Sequence, residues 1–562
     1  MLAASKNFRL KRSKKIEILR PKQTSFHKIV LITVSMVCAF ILFIPFFSVY
    51  LSWAGPVSSI WEHLISTSFV EYAVNTFALT ASVVSCSVIL GVFFAGITTF
   101  YDFPLRKLIS ALCYTPLVFP PYVLGFVFLG IFDVTGPVAK IATHLGYGYN
   151  ELPDIRGLLG ASISLSISLF PYVYMLTKTA MISQGPRVFE AGRSLGLRPS
   201  ECVLKIGFPL SRPWIFSGAL IVMMEVMADF GTVSVFSLDT FTTGIFKSWY
   251  GFFDFAGALQ LSSVLLTIMM IVQYLKVKNE ALEARFQTDL SSRGSRLKVS
   301  KAAGYFLCVG SLFLFTFMVG IPFVQLASWV LELGLSRAYS IISENLLNTI
   351  LISGIAAALI LLVSLLIKYH ERMLGFLSKK MRFLLSLPSI GYGFPGAVLA
   401  AGLVMPFNYF DSLLNDNGLL SGSFLGGSLA VLLAGLFIRF YVVGFSSVSG
   451  GFGKIPRSMD EASKSMGVKG LNLFSRIHLP LLKHSIFVGF IYTFIDVAKE
   501  MPLTLMARPT GWDTLSVKIF EWTSEGEWEK AAVPSLILVC LGMISLWLTL
   551  AGYNKSSEFK KG

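Results

Sequence analysis

Charge is scarce in this sequence. Asp, Glu, Lys and Arg make up 14% of its 562 residues, against roughly a quarter in ordinary soluble domains, while 54% are hydrophobic and the mean hydropathy is +0.70. A soluble globular protein is excluded, and so much apolar content also excludes a disordered chain. Cysteine is scarce too, with six in the whole chain, too few for a secreted disulfide scaffold of this length. Cys38, Cys86, Cys113, Cys202, Cys308 and Cys540 show no C-x-x-C spacing. Most lie in apolar runs, where a thiol is a small core residue. The six histidines, His27, His63, His144, His370, His478 and His484, are dispersed without H-E-x-x-H or paired ligand spacing, so no stable metal site is expected. A phosphate-cradling G-x-x-x-x-G-K-[ST] is missing as well: Gly450-Gly451-Phe452-Gly453-Lys454 lacks both the spacing and the hydroxyl after Lys. The chain is not expected to be an enzyme that hydrolyses ATP.

What the sequence has is long apolar runs. Reading for stretches of about 20 residues places spans at 29–53, 70–99, 108–132, 157–181, 213–237 and 256–275, then at 303–331, 343–367, 382–404, 424–447, 484–507 and 531–552. The fold class is therefore an all-α polytopic membrane protein of about 12 transmembrane helices. The first span has a basic flank like a signal peptide, but its apolar region, about 25 residues, exceeds an h-region, so it is read as an uncleaved helix. The net charge of +16 follows the spans. With the N-terminus cytoplasmic, the inside collects the tail, from Lys6 and Arg9 to Lys28, the segment 276–302 and every second loop. The outside keeps only Lys140, Arg156, Lys247, Arg337, Arg508, Lys518 and Lys530. This asymmetry puts both termini in the cytoplasm and accounts for the charge without a nucleic-acid partner.

The chain also repeats itself. Val74-Asn75-Thr76 matches Leu347-Asn348-Thr349, and Pro116 matches Pro388. GPRVFEAGRSLGLRPSECVLKIGFPL from Gly185 matches PRSMDEASKSMGVKGLNLFSRIHLPL from Pro456, and Asp239-Thr240 and Ile245-Phe246 match Asp513-Thr514 and Ile519-Phe520. Each half has six spans, an even number, so both enter the membrane in the same sense and a pseudo-twofold axis runs along the membrane normal. The organisation read is a basic cytoplasmic tail at 1–28, a first domain at 29–275, a polar cytoplasmic linker at 276–302, a second domain at 303–552 and a cytoplasmic tail at 553–562.

The repeated loops, 185–212 and 456–483, are built to dock. Glu190-Ala191 and Glu461-Ala462 open a short helix, and Gly196 and Gly467, six positions on, can take the left-handed conformation that ends one. A second amphipathic stretch then runs through Ile206 and Ile477 to Pro209 and Pro480. The expected shape is two short helices joined at a bend, with Leu195, Leu197, Met466 and Val468 near the corner. One such loop would be an ordinary interfacial turn. Two at equivalent positions point to a docking element.

These loops resemble the EAA loop of type I ABC importer permeases, E-A-A-x-x-x-G-x(9)-I-x-L-P, departing from it at Gly192, Phe208 and Ser463. The resemblance covers both halves and implies the type I ABC importer permease fold, two parallel six-helix repeats fused in one chain. It assigns Glu190, Ala191, Gly196, Ile206, Pro209, Glu461, Ala462, Gly467, Ile477 and Pro480 to coupling with a cytoplasmic ABC ATPase dimer, which uses the ATP. It also implies an extracytoplasmic solute-binding protein, an inner-membrane location, alternating access and no stably bound cofactor. The stretch ADFGTVSVFSLDTFTTGIFKSWYGFFDFAGALQL from Ala228, and DVAKEMPLTLMARPTGWDTLSVKIFEW from Asp496, are similar to the fused ferric-iron permeases of that family. Thiamine, phosphonate and polyamine permeases share the fold. A six-plus-six secondary transporter remains an alternative that the duplicated loop disfavours.

Ionisable residues inside spans cost roughly 2.5–3.5 kcal/mol each on insertion scales and by default suggest function. Spans five and eleven hold repeat-related pairs, Glu225 with Asp229 and Asp496 with Glu500, each four apart and so expected on one helical face, with Lys499 beside the second. Two readings stand: a hard-oxygen pathway for a highly charged cation, or structural groups that cap broken helices and pair with Lys499. Arg439 is read as a structural partner or a snorkelling charge, and Pro116, Pro120, Pro121, Pro388 and Pro395 as breaks in spans three and nine.

Overall fold

A computed structural model describes residues 23–55, 58–148, 151–184, 192–286, 297–375, 378, 381, 384–385, 387–417 and 426–558. Among them twelve helices are long and apolar enough to cross a membrane. In the first half these are Phe26–Ala54, Phe69–Phe100, Pro121–His144, Leu158–Ser183, Val203–Ala228 and Phe255–Glu280. In the second they are Lys301–Leu333, Asn345–Leu374, Gly396–Asp416, Leu429–Gly453, Leu471–Lys499 and Trp528–Leu548. They are numbered one to twelve below. The chain is a multi-pass membrane protein of all-α class, and its only described strands, Tyr101–Asp102 and Leu297–Lys298, are two residues long and pair in parallel.

Four spans differ from the sequence reading, each for a local reason. The apolar run at 108–132 is broken by proline: Arg106–Leu112 is helical, Thr115–Val118 is a tight turn, and span three begins only at Pro121, a residue whose missing N–H costs nothing at a first helical position. The run at 382–404 behaves alike, with a tight turn at Leu387–Gly393, Pro395 extended, and span nine starting at Gly396. Spans five and eleven begin earlier than read, inside the loops, and stop at Ala228 and Lys499. The segment 276–302 is not simply a polar linker. The helix of span six continues to Phe286 because no Gly or Pro interrupts it and a Lys276–Glu280 pair one turn apart supports it. Leu297–Lys298 then pairs with the loop between spans two and three.

Contacts divide the chain into two units. One consists of Met1–Ile44, Gly354–Tyr392 and Leu436–Phe494, with cores around Leu31, Ile367 and Tyr441 and around Tyr369, Phe452 and Leu482. The other consists of Pro45–Ser353, Gly393–Gly435 and Ile495–Gly562. Its larger core gathers Phe94, Phe126, Phe170, Trp329 and Leu538. Between apolar helices in a membrane, small side chains and hydroxyl hydrogen bonds supply the fit. Ser82 on span two and Ser162 on span four share one at 2.7 Å in this way.

Candidate functional site

The repeated loops have the expected bend. In the second, the helix Arg457–Ser465 ends at Gly467, whose φ is +80°. The Gly467 N–H donates to Lys464 O and the Val468 N–H to Ser463 O, the paired closure that a left-handed residue permits at a helix end. In the first loop Gly196, at φ +85°, does the same, with Gly196 N–H on Arg193 O and Leu197 N–H on Gly192 O. The departure at Gly192 has a packing reason: a Cβ there would stand 2.6 Å from Ile206 Cδ1 and 2.9 Å from Cys202 Sγ. At the tips, Leu195 is 82% and Met466 74% exposed. Glu190 and Ala191 lie outside the described residues; Glu461 and Ala462 are exposed on their helix.

The second short helix expected in each loop is instead the start of the next span. Pro209 and Pro480 explain how. A proline inside a helix has no N–H for the carbonyl four residues back and its ring crowds it, so the preceding turn widens. Val203–Gly207 and Phe474–His478 are π-turns, with Phe208 N–H reaching Val203 O and Leu479 N–H reaching Phe474 O. Thr316–Gly320 before Pro322 repeats the pattern in span seven. The Pro of each loop thus shapes the turn through which the loop enters a membrane helix.

The four carboxylates divide into two kinds. Asp229 and Glu500 do not share a helical face with Glu225 and Asp496, because the helices end before them. Asp229 is extended, and its Oδ1 accepts the N–H groups of Thr232 and Val233 at 2.9 and 3.1 Å while Oδ2 accepts the Thr232 hydroxyl at 3.0 Å. Glu500 receives Leu503 N–H, Thr504 N–H and the Thr504 hydroxyl, each at 2.9 Å. Each carboxylate therefore caps the short helix that follows it, Gly231–Val235 or Pro502–Ala507. Around each break the halves repeat one network. Thr242 and Ser516 donate to the carbonyls of Asp229 and Glu500 at 2.6 and 2.7 Å, and Thr76 and Thr349 accept Phe241 N–H and Leu515 N–H. Only the Asn-Thr match hinted at these hydroxyls in the sequence. Substituting Ala at Asp229 or Glu500 is expected to cost about 1–2 kcal/mol of stability, read as a lower thermal midpoint in detergent, with Asn at 229 recovering most of it. Lost transport at unchanged stability would return both residues to the pathway.

Glu225 and Asp496 are the second kind. They are related by the repeat, their charges act on each other, and Lys499 acts on Asp496. Asp496 is exposed on the surface of the chain and Glu225 half-buried. Lys499 Nζ donates to Leu117 O at 3.3 Å, and Tyr122 of the first half donates to Lys499 O. Phe246 and its repeat mate Phe520 meet edge to face, 6.2 Å between ring centres, with Phe230 packed on both. Two equivalent residues can touch each other only near the axis that relates them, so the axis passes between these rings. Among the described residues no three His, Cys, Asp or Glu side chains converge as metal ligands.

A duplicated helix bundle with broken helices at its axis and a rigid, apolar-tipped loop in each half is the membrane component of a transporter. Comparison with known proteins makes the class specific. The chain belongs to the family described as binding-protein-dependent transport system inner membrane component, which matches residues 87–278 and 373–551. It is similar to the Fe(3+)-transport system permease protein FbpB 2 of Haemophilus influenzae, 22% identical over 497 residues, 87% of this chain and 91% of that protein. The ferric transport system permease protein FbpB of Actinobacillus pleuropneumoniae is 25% identical over 491 residues, 84% of this chain and 69% of its own. The sulfate transport system permease protein CysT of Synechococcus elongatus is 26% identical over 241 residues, 42% of this chain and 84% of that protein.

Proposed function

We propose that this chain is the complete translocation unit of an ATP-driven importer for ferric iron, two permease domains fused by the segment 276–302. The observation that carries the cargo reading is the pair Glu225 and Asp496, two carboxylates that act on each other beside the axis. Hard oxygen ligands suit a small, highly charged cation. Two of them with one ammonium keep the passage net negative, which repels the oxyanions carried by sulfate permeases. The ferric permeases similar over most of the chain support the same cargo.

In this reading ATP binding closes a cytoplasmic ATPase dimer, whose grooves hold the loops 185–212 and 456–483. Gly196 and Gly467 set the angle of each docking helix, and Ile206, Pro209, Ile477 and Pro480 tie it to spans five and eleven. Movement of the loops opens the cavity outward to a solute-binding protein, and hydrolysis returns it inward. The chain binds and passes solute while its partner hydrolyses ATP. Uptake of radiolabelled ferric iron into proteoliposomes holding this chain, the ATPase and a loaded binding protein tests the proposal. Uptake of sulfate or molybdate in place of iron would overturn the cargo, and uptake without ATP the class.

Both termini are placed in the cytoplasm because basic residues collect there. In a cysteine-free background, cysteines at Gly148 and Asn417 should react with an impermeant maleimide added to intact cells, and cysteines at Ser300 and Lys464 only after permeabilisation. Labelling of Ser300 from outside would reverse the orientation.

A further inference from the structure

The second docking loop is held by charged groups. At the end of span eight, Arg372 reaches into the second loop: its Nε donates to Asp460 Oδ2 at 2.6 Å, Nη1 to Phe452 O at 2.9 Å, and Nη2 to Ile455 O and Pro456 O at 2.9 and 3.1 Å. His478, fully buried, bonds Asp460 Oδ1 through Nε2 at 2.9 Å. One turn before Arg372, the Tyr369 hydroxyl donates to Gly470 O at 2.9 Å, and its ring lies against Phe474 and His478. One helical turn of span eight therefore grips the docking helix at Asp460, its bend at Gly470 and the π-turn at His478. Burial alone would raise the Asp460 carboxyl, but the hydrogen bonds from Arg372 and His478 and their charges outweigh it and hold it below the usual carboxylate range. It is ionised at neutral pH.

The sequence of the first half offers none of these groups. By the offsets of the repeat, Tyr369 and Arg372 correspond to Gly96 and Thr99, and Asp460, Gly470 and His478 to Phe189, Pro199 and Gly207. No charge stands at any of those positions. The first loop is tied to span four by a neutral amide, Gln184 Nε2 donating to Gly207 O and Ser211 Oγ at 3.1 and 2.9 Å. A forked, charge-assisted grip on a buried carboxylate fixes orientation as well as distance.

We propose that Asp460 is a positioning residue for energy coupling, and that the Arg372–Asp460–His478 network gears the second loop rigidly to span eight. This rests on the proposed docking of an ATPase.

The test uses the full complex of this chain, the ATPase and the binding protein in proteoliposomes, comparing Asp460→Asn with the double variant Arg372→Met plus Asp460→Leu. The double variant leaves no buried charge unpaired and preserves folding where the single one fails. In the double variant the ATPase should co-purify and basal hydrolysis persist, while stimulation of hydrolysis by loaded binding protein and iron uptake both fall about tenfold, within the usual range of coupling between sites. Arg372→Lys, which keeps the charge and loses the fork, should fall between. Wild-type stimulation and uptake in the double variant would overturn the proposal, because the network would then serve folding alone. An unmodified chain that never co-purifies with an ATPase would instead remove the docking reading, and this one with it.

Discussion

Valine at both Gly196 and Gly467 should abolish productive coupling while leaving the protein in the membrane. The reason lies in the backbone. Both glycines sit at φ of +85° and +80°, and no atom lies within 4 Å of where a Cβ would stand, so no neighbour resists a side chain and the whole penalty is conformational. For an L-residue the left-handed region costs about 1–2 kcal/mol, and a β-branched one crowds its own backbone further. The N–H groups of Gly196, Leu197, Gly467 and Val468 would lose the carbonyls that close each helix. Each docking helix would then unwind or swing, and either change moves its exposed tip. Uptake should fall at least about tenfold, as about 1.4 kcal/mol of misalignment implies, with ATP hydrolysis persisting unstimulated. Asparagine, which tolerates this conformation, should retain most of the activity at the same positions. Normal transport by the double valine variant would remove the docking role.

Neutralising the axis should have the other large effect. Glu225→Gln with Asp496→Asn preserves size and hydrogen bonding but removes both charges, so ferric uptake should drop by an order of magnitude or more at normal expression. Each removed carboxylate also exposes the cation to the desolvation cost of a charge near the bilayer centre, about 2.5–3.5 kcal/mol on insertion scales. Adding Lys499→Met separates two explanations. If Asp496 only neutralises Lys499, the third substitution should restore yield and uptake together, since an unpaired buried charge would be the whole defect. If the carboxylates carry the cation, yield should recover and uptake should not. Full ferric uptake with both carboxylates neutralised would leave the cargo resting on relatives alone.

Membrane class, the twofold repeat and the helix-ending glycines were legible because each depends on a pattern local in the chain. Apolar runs long enough to span a bilayer have few alternatives, and a glycine followed by an apolar residue after a short polar helix has one common conformation. Proline marked the breaks in spans three and nine, though not the residue at which the helix resumes. The roles of the carboxylates were not legible. A spacing of four puts Asp229 under Glu225 only while the helix continues, and whether it continues depends on the caps offered to the next helix by the same side chain. Asp460 was missed for a related reason: it stands beside the motif glutamate, and its partners Arg372 and His478 lie 88 and 18 residues away.

The sequence by itself determined the solvent, the number of spans, the duplication and the bend of each docking loop, since burying backbone polar groups in lipid and ending a helix are settled by neighbours in the chain. Tertiary structure decided that Asp229 and Glu500 cap helices, that Phe246 meets Phe520, and that an ionic grip holds the second loop. Those depend on which groups distant segments bring within hydrogen-bonding reach, and a buried charge takes its role from the partner it finds there.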